Sequence, residues 1–256
     1  MRILCCNIRK SDAEDGINNW EHRRDLCGGI IGRREPDIVC FQEMRRNQYL
    51  DMQKALRRFD AWGLSKTATC PHPINAIFAH SQRFECLAAG GYWLSETPHV
   101  AGSASWGSAS IRLANWVRFK NKDSDQEFRI INTHLDHVGE TARLQQAQMI
   151  VEDAFAYPSD YPQILCGDMN AEPESSVINL FAAGGWRDTY SALHDRNEAS
   201  FTYHGFQGHR HQTNQRKIDW IFARGTLKPF HAAIIRECAG DRYPSDHYFL
   251  EADVIT

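Results

Sequence analysis

Four short apolar runs in this chain stop on polar side chains, and that repeated ending most constrains its fold. "RILCC" stops at Asn7, "DIVCFQ" at Glu43, "FRII" at Asn132 and His134, and "QILCG" at Asp168 and Asn170. Apolar runs of this length read as strands buried on both faces. In "CGDMN", Asp168 and Asn170 are two apart, so an extended backbone points both side chains the same way. Near the C-terminus the order inverts, and "SDH" at 245–247 precedes the run "YFLEADVI". An antiparallel strand starts where its neighbours end, which would bring Asp246 and His247 to the same rim.

Helical spacing fills the intervals. Trp20, Leu26 and Ile30 recur with helical period in "NNWEHRRDLCGGIIGRRE", which Pro36 closes. "NQYLDMQKALRRF" predicts a second helix. Leu144, Ala147, Ile150 and Val151 share one face of "GETARLQQAQMIVEDAFA". "SSVINLFAAGG" predicts a short helix ended by Gly184 or Gly185. "NAIFAH", "FECLAAGGYWLS", "KIDWIFA" and "PFHAAIIRE" read as further strands, and "RLANWVRFK" with "EFRIINTHLD" as a hairpin. No linker tract interrupts the chain, so residues 1–256 are expected to form one α/β domain with large sheets covered by helices.

Composition narrows the function. A net charge of −3 and a pI near 6.5 give no extended footprint for duplex DNA. "EHRRD", "IGRRE" and "ALRRF" mix basic with acidic residues and read as solvated helix faces. No run approaches the roughly 20 apolar residues needed to cross a membrane. Cys5, Cys6, Cys40 and Cys166 sit inside apolar runs, where a free thiol behaves as a small hydrophobe. No C-x-x-C pair suggests zinc. A reduced, cytoplasmic, monomeric protein is the expectation, although a chain trimmed of a leader would look the same.

Taken singly, Asn and Asp at strand ends are turn residues. Gathered at one rim, they would make a polar crevice that is costly without a cation or ligand. The donors are mainly oxygen, which suits Mg²⁺ or Mn²⁺ and points to phosphoryl chemistry. The absence of G-x-S-x-G argues against a metal-free acyl hydrolase.

The set "CCN", "FQE", "NTHLDH", "GDMN", "KIDWIF" and "SDH", in that order over residues 5 to 247, resembles the endonuclease/exonuclease/phosphatase (DNase I-like) superfamily. "WLSETP" and "DRYPSD" look closest to a bacterial branch of small metal-dependent hydrolases. The resemblance implies a four-layer sandwich, two packed mixed β-sheets flanked by helices, and a Mg²⁺- or Mn²⁺-dependent phosphoesterase. It implies Glu43 as principal metal ligand, with Asn7 beside it and Asp246 as a further carboxylate. It implies that Asp168 activates the attacking water and Asn170 holds the scissile phosphate. His247, oriented by Asp219, and His134 would contact phosphate or assist the leaving group. Lys217 and Trp220 depart from the Arg and Tyr common around "IDY".

Substrate choice is expected on three loops. "SASIRLANW" supplies Arg112 as a clamp for phosphate or carboxylate. "LDHVGETAR" supplies Asp136 and His137, and "FTYHGFQGHRHQ" is rich in His. Trp106, in the Gly/Ser loop "GSASWGSAS", is the tryptophan placed to contact a base or sugar. A small phosphorylated molecule or short oligonucleotide is the expected substrate. A DNA or RNA nuclease and a catalytically silent binding module are the alternatives.

Overall fold

A computed structural model describes residues 1–70, 72–194, 200–213 and 215–255. The chain opens with β1 (Arg2–Asn7), α1 (Trp20–Arg33), β2 (Ile38–Gln42), α2 (Arg46–Ala55), β3 (Phe59–Trp62) and β4 (Ile77–His80). It continues with β5 (Phe84–Trp93), β6 (Leu113–Asn121), β7 (Glu127–His134), α3 (Glu140–Ala154), β8 (Gln163–Asp168) and α4 (Ser176–Ala183). The last elements are β9 (Arg187–Asp188), β10 (Asp219–Arg224), β11 (Lys228–Ile235) and β12 (Phe249–Ile255).

These strands make two six-stranded sheets, ordered β11-β12-β1-β2-β4-β3 and β5-β6-β7-β8-β10-β9. Each contains one parallel pair, β1 with β2 and β7 with β8, and its other pairings are antiparallel. A parallel pair needs a crossover, supplied here by α1 in one sheet and α3 in the other. Strand alternation then sets the layers. Ile3 and Cys5 of β1 face Ile164 and Cys166 of β8 in the core between the sheets. Leu4 and Cys6 face outward onto Cys27, Ile30 and Ile31 of α1. On the far side, Ile131 and Leu165 pack on Ala147, Ile150 and Val151 of α3. Strands buried on both faces are thus explained, and the expected four-layer sandwich is the observed fold. The thiols of Cys5, Cys6, Cys40 and Cys166 are free and buried.

Three local readings are corrected. The second helix stops at Ala55, and "FDAW" forms β3, with Phe59 opposite His80 of β4. Phe59 satisfies a helical apolar pattern as well as an edge strand, so periodicity alone cannot separate them. Asn132 does not join the crevice. Its amide donates to the Phe41 and Ala76 carbonyls and accepts from Gln42 at 2.7 Å, stapling one sheet to the other. Arg23 of "EHRRD" is buried rather than solvated. Its guanidinium donates to the carbonyls of Ile8, Arg9, Asn18 and Pro244 at 2.6–2.8 Å, between the rings of Trp20 and Phe206.

Candidate active site

The two parallel pairs run the same way, so the sheets share one edge where polar residues emerge. Asn7 ends β1, Glu43 follows β2, His134 ends β7 and Asp168 ends β8. Antiparallel β10 begins at Asp219, opposite Asp168 in register, and Asp246 and His247 lie just before β12. Glu43, His134, Asp168, Asn170, Asp246 and His247 all line one cleft of about 450 Å³. Asn7 and Asp219 stand behind that lining and hold it.

Local backbone aims these groups. Gly167 lies at φ 157°, where an added Cβ would collide with the Thr133 carbonyl, so β8 can press on β7 just before Asp168 only without a side chain. Glu43 and Asn170 adopt left-handed backbone, with φ 62° and 46°. Such conformations cost of order 1–3 kcal/mol for non-glycine residues and persist where the surroundings enforce them. Here the Lys10 amide donates to Glu43 Oε2 at 3.1 Å, and the Asn170 amide donates to Asp168 Oδ1 at 2.9 Å. Arg23 ties the loop after β1 to the Pro244 carbonyl, two residues before Asp246.

A hydrogen-bonded web joins the groups. Asn7 Nδ2 lies 3.3 Å from Glu43 Oε1 and 3.0 Å from Asp168 Oδ2. Asn170 Nδ2 donates to the Leu135 carbonyl and sits 3.0 Å from His134 Nε2, which lies 3.4 Å from Asp168 Oδ2. His247 Nδ1 donates to Asp219 Oδ2 at 2.8 Å, which turns Nε2 toward the cleft, 3.9 Å from Asp246 Oδ1. The Tyr203 ring meets His247 edge-on at 5.2 Å.

Burial and charge set the protonation states. Burial, then the charge of Asp219, pushes the Asp168 carboxyl up to about 7. Burial also raises Asp246. For Glu43 burial acts upward but is outweighed by His247, the Lys10 amide, Asn7 and Arg9, so its carboxyl stays below the usual range. His247 is also opposed by burial, but Asp219, Asp246 and Asp168 hold it well above an ordinary imidazole. His134 goes the other way, because burial and then the charges of Arg112 and His247 keep it neutral.

Among the described residues, ligand atoms of Asp168, Asp219 and His247 lie within 4.8 Å of one another, as a metal cluster would. Asp219 is already engaged there by the His247 proton. Glu43 and Asp246 bring further carboxylates to the same cleft. Four carboxylates thus crowd around one imidazolium and the Arg9 guanidinium, which lies 3.7 Å from Asp246. This excess of buried negative charge, on oxygen donors, fits a hard divalent cation.

Asp136, Trp106 and the histidines of "FTYHGFQGHRHQ" (His204, His209 and His211) are not brought to the cleft, which that last loop reaches through Tyr203 instead. Asp136 is fully buried, and its oxygens accept from the Ala109, Val138 and Gly139 amides and Ser108 Oγ. It shapes the two loops and has no face toward a ligand. Trp106 is half-buried in its loop at φ 58° and is not among the lining residues. Arg112, His137 and Tyr203 do line the cleft, as do Lys10, Arg45, Lys66 and Arg216, which no motif or spacing marks in advance. The departure at "KIDW" is self-compensating. Buried Lys217 pairs with Asp188 at 2.5 Å and lies 3.9 Å over the Trp220 ring, whose Nε1 donates to the Ala171 carbonyl just past Asn170.

Solved bacterial proteins share this architecture. An endonuclease/exonuclease/phosphatase from Bacteroides vulgatus matches with a TM-score of 0.91 and 29% identity, over 99% of this chain and 98% of that one. A mannosyl-6-phosphatase of Bacteroides thetaiotaomicron matches with a TM-score of 0.90 and 26% identity over all of both chains. Nocturnin of Drosophila melanogaster is 26% identical over 167 residues, 62% of this chain and only 25% of that longer protein. The sequence profile of the endonuclease/exonuclease/phosphatase family matches residues 5–247. That span runs from β1 to His247 and takes in every polar residue that converges on the cleft, so the chain belongs to the endonuclease/exonuclease/phosphatase family.

Proposed function

We propose that this protein is a divalent-metal-dependent phosphoric ester hydrolase, acting by in-line attack of water on a small phosphorylated molecule or short oligonucleotide. One observation carries the reading. A carboxylate held near neutrality (Asp168), a buried amide (Asn170) and a charged imidazole (His247) meet in one cleft. A cleft of about 450 Å³ suits a small ligand. The full-length likeness to a mannosyl-6-phosphatase supports a small phosphorylated substrate.

Each residue has a physical task in this reading. Asp168, fixed by the Asn7 amide and the Asn170 backbone, takes a proton from the attacking water. His247 Nε2 donates to the phosphoryl oxygens where charge develops, and Asn170 Nδ2 joins it by exchanging its His134 Nε2 contact for the phosphate. Asp219 fixes the His247 tautomer and keeps it charged. His134, neutral and within reach of Asn170, orients that amide and contacts the phosphate or the leaving group. Glu43, Asn7 and Asp246 would hold Mg²⁺ or Mn²⁺, which when bound neutralises phosphate oxygens and lowers the pKa of water. No covalent enzyme intermediate is required, so positioning and electrostatics carry the rate.

The test is phosphate release from a panel of monoesters, diesters, nucleotides and oligonucleotides with Mg²⁺, Mn²⁺ or a chelator. Metal-dependent turnover is expected, with Glu43→Ala, Asp168→Ala and His247→Ala each losing most of it. Turnover that survives Asp168→Ala would sink the mechanism, and none on any ester would favour a silent binding module. Steep salt dependence on oligonucleotides would favour the nuclease alternative.

A further inference from the structure

The wall of the same cleft opposite His247 carries two cationic side chains and a histidine with no assigned task. Lys66, in the loop after β3, Arg112, just before β6, and His137, beyond β7, all line it. Arg112 Nη2 lies 3.2 Å from His137 Nδ1, and Arg112 Nε is buried without a hydrogen-bond partner. Among the described residues, neither Arg112 nor Lys66 forms an ion pair, whereas Arg45 on the same wall is matched to Asp12. The Lys66 carbonyl accepts from Trp93 Nε1 at 2.9 Å, which fixes the segment that presents its ammonium. Burial lowers the Lys66 pKa, and the charges of Arg112, Arg45 and Lys10 lower it further. Burial lowers Arg112 likewise, against the charges of Asp168, Asp136 and Glu43, none of which pairs with it directly.

Cations gathered in a partly dry wall cost free energy unless an anion joins them. The scissile phosphate already has Asn170, His134 and His247. We propose that Lys66, Arg112 and His137 form a second oxyanion subsite, so that the preferred substrate carries a phosphate or carboxylate besides the ester that is cleaved. Arg112 offers a planar fork suited to either group, and Lys66 a point charge. The assignment rests on the phosphoesterase reading for the position of the first phosphate.

Binding to chelator-treated protein separates the two ideas, because it needs no turnover. Titration calorimetry with fructose 6-phosphate, fructose 1,6-bisphosphate and 6-phosphogluconate supplies one anion, two phosphates, and a phosphate with a carboxylate. At least one doubly anionic ligand should bind about tenfold or more tighter than fructose 6-phosphate, as a charge-assisted hydrogen bond allows. Which of the two gains identifies the second group as phosphate or carboxylate. In Lys66→Met and in Arg112→Gln that advantage should collapse to about threefold or less. Lys66 is half-exposed, so the Lys66→Met protein is expected to fold whatever becomes of the other variant. Equal binding of all three ligands overturns the proposal, as does an advantage that survives both substitutions. The hydrolase reading fails separately, if the metal-loaded protein releases phosphate from no ester.

Discussion

His134 and His247 share one cleft and one degree of burial, yet the fold holds them in opposite charge states. Behind His247 stands Asp219, 2.8 Å from Nδ1, with Asp246 near its other nitrogen. His134 has only Asp168, 3.4 Å from Nε2 and itself raised to about 7, and it faces the Asn170 amide and the charge of Arg112. The imidazoles are chemically identical, so the difference lies in what each strand end places beside them. It divides the cleft. Near His247, carboxylates gather and an imidazolium is stable; near His134, Lys66, Arg112 and His137 gather and the imidazole stays neutral. A phosphate crossing the cleft would meet charge from a histidine on one side and from a guanidinium on the other.

Removing the support of His247 should break this contrast most. Asp219→Asn keeps the shape but withdraws the charge that raises the His247 pKa. A fall in kcat of about 10³-fold is expected, within the usual range for a mispoised acid–base group. The direction of the pH change is diagnostic. If charged His247 is required, activity is lost as pH rises through its raised pKa, and the variant's basic limb should move to lower pH. The acidic limb belongs to Asp168, with a midpoint near 7, and because the charge of Asp219 also raises that carboxyl, this limb should move to lower pH as well. An unmoved basic limb in a pH–rate profile would show that Asp219 does not act through His247.

The platform under the contrast can also be weakened. Arg23 donates to carbonyls on both sides of the cleft floor, after β1 and before Asp246. Arg23→Met leaves those buried acceptors unpaired, at a cost to folding of at least about 3 kcal/mol. Urea denaturation reads this directly, and a change under about 1 kcal/mol would mean that water replaces the guanidinium. A smaller effect is expected on the neutral side. His134→Asn should lower kcat about tenfold, because it removes an orienting contact rather than a charge. A loss as large as that of Asp219→Asn would make the two histidines equal partners.

Much of this arrangement was legible in the sequence, for a physical reason. Asn7, Glu43, Asp168 and His247 flank apolar runs, and a buried strand can show polarity only where it leaves the core. Their convergence follows from two crossovers that make the strands parallel. The family motifs added an expected job for each residue. What stayed hidden depends on contacts distant in sequence. Arg23 lies in a charged helical stretch, and only the docking of the Pro244 loop makes it internal. Asn132 has the same strand-end signature as Asn7 and the same inward face, but it pairs with Cys166, two residues short of Asp168 at the rim, a depth that only the strand register reveals. Lys66 sits in a segment with no pattern at all, so nothing marks it before the cleft is assembled.

Trp106 offers the finest test of which loops belong to the cleft. From composition alone it was the aromatic best placed to stack on a base or sugar, but its loop folds otherwise. Asp136 pins Ser108 and Ala109, so the segment is anchored just after Trp106, and only its far end, from Ser110 to Arg112, reaches the cleft. Trp106→Phe should therefore change kcat/KM by less than about twofold on sugar phosphates and nucleotides alike, as for a residue outside the site. A KM raised for nucleotides alone would mean that the loop leaves Asp136 and closes over a base. Asp136→Asn distinguishes these cases, because it weakens the anchor. If the loop is only a wall, that variant loses rate on every substrate; if it is a lid, it binds nucleotides better.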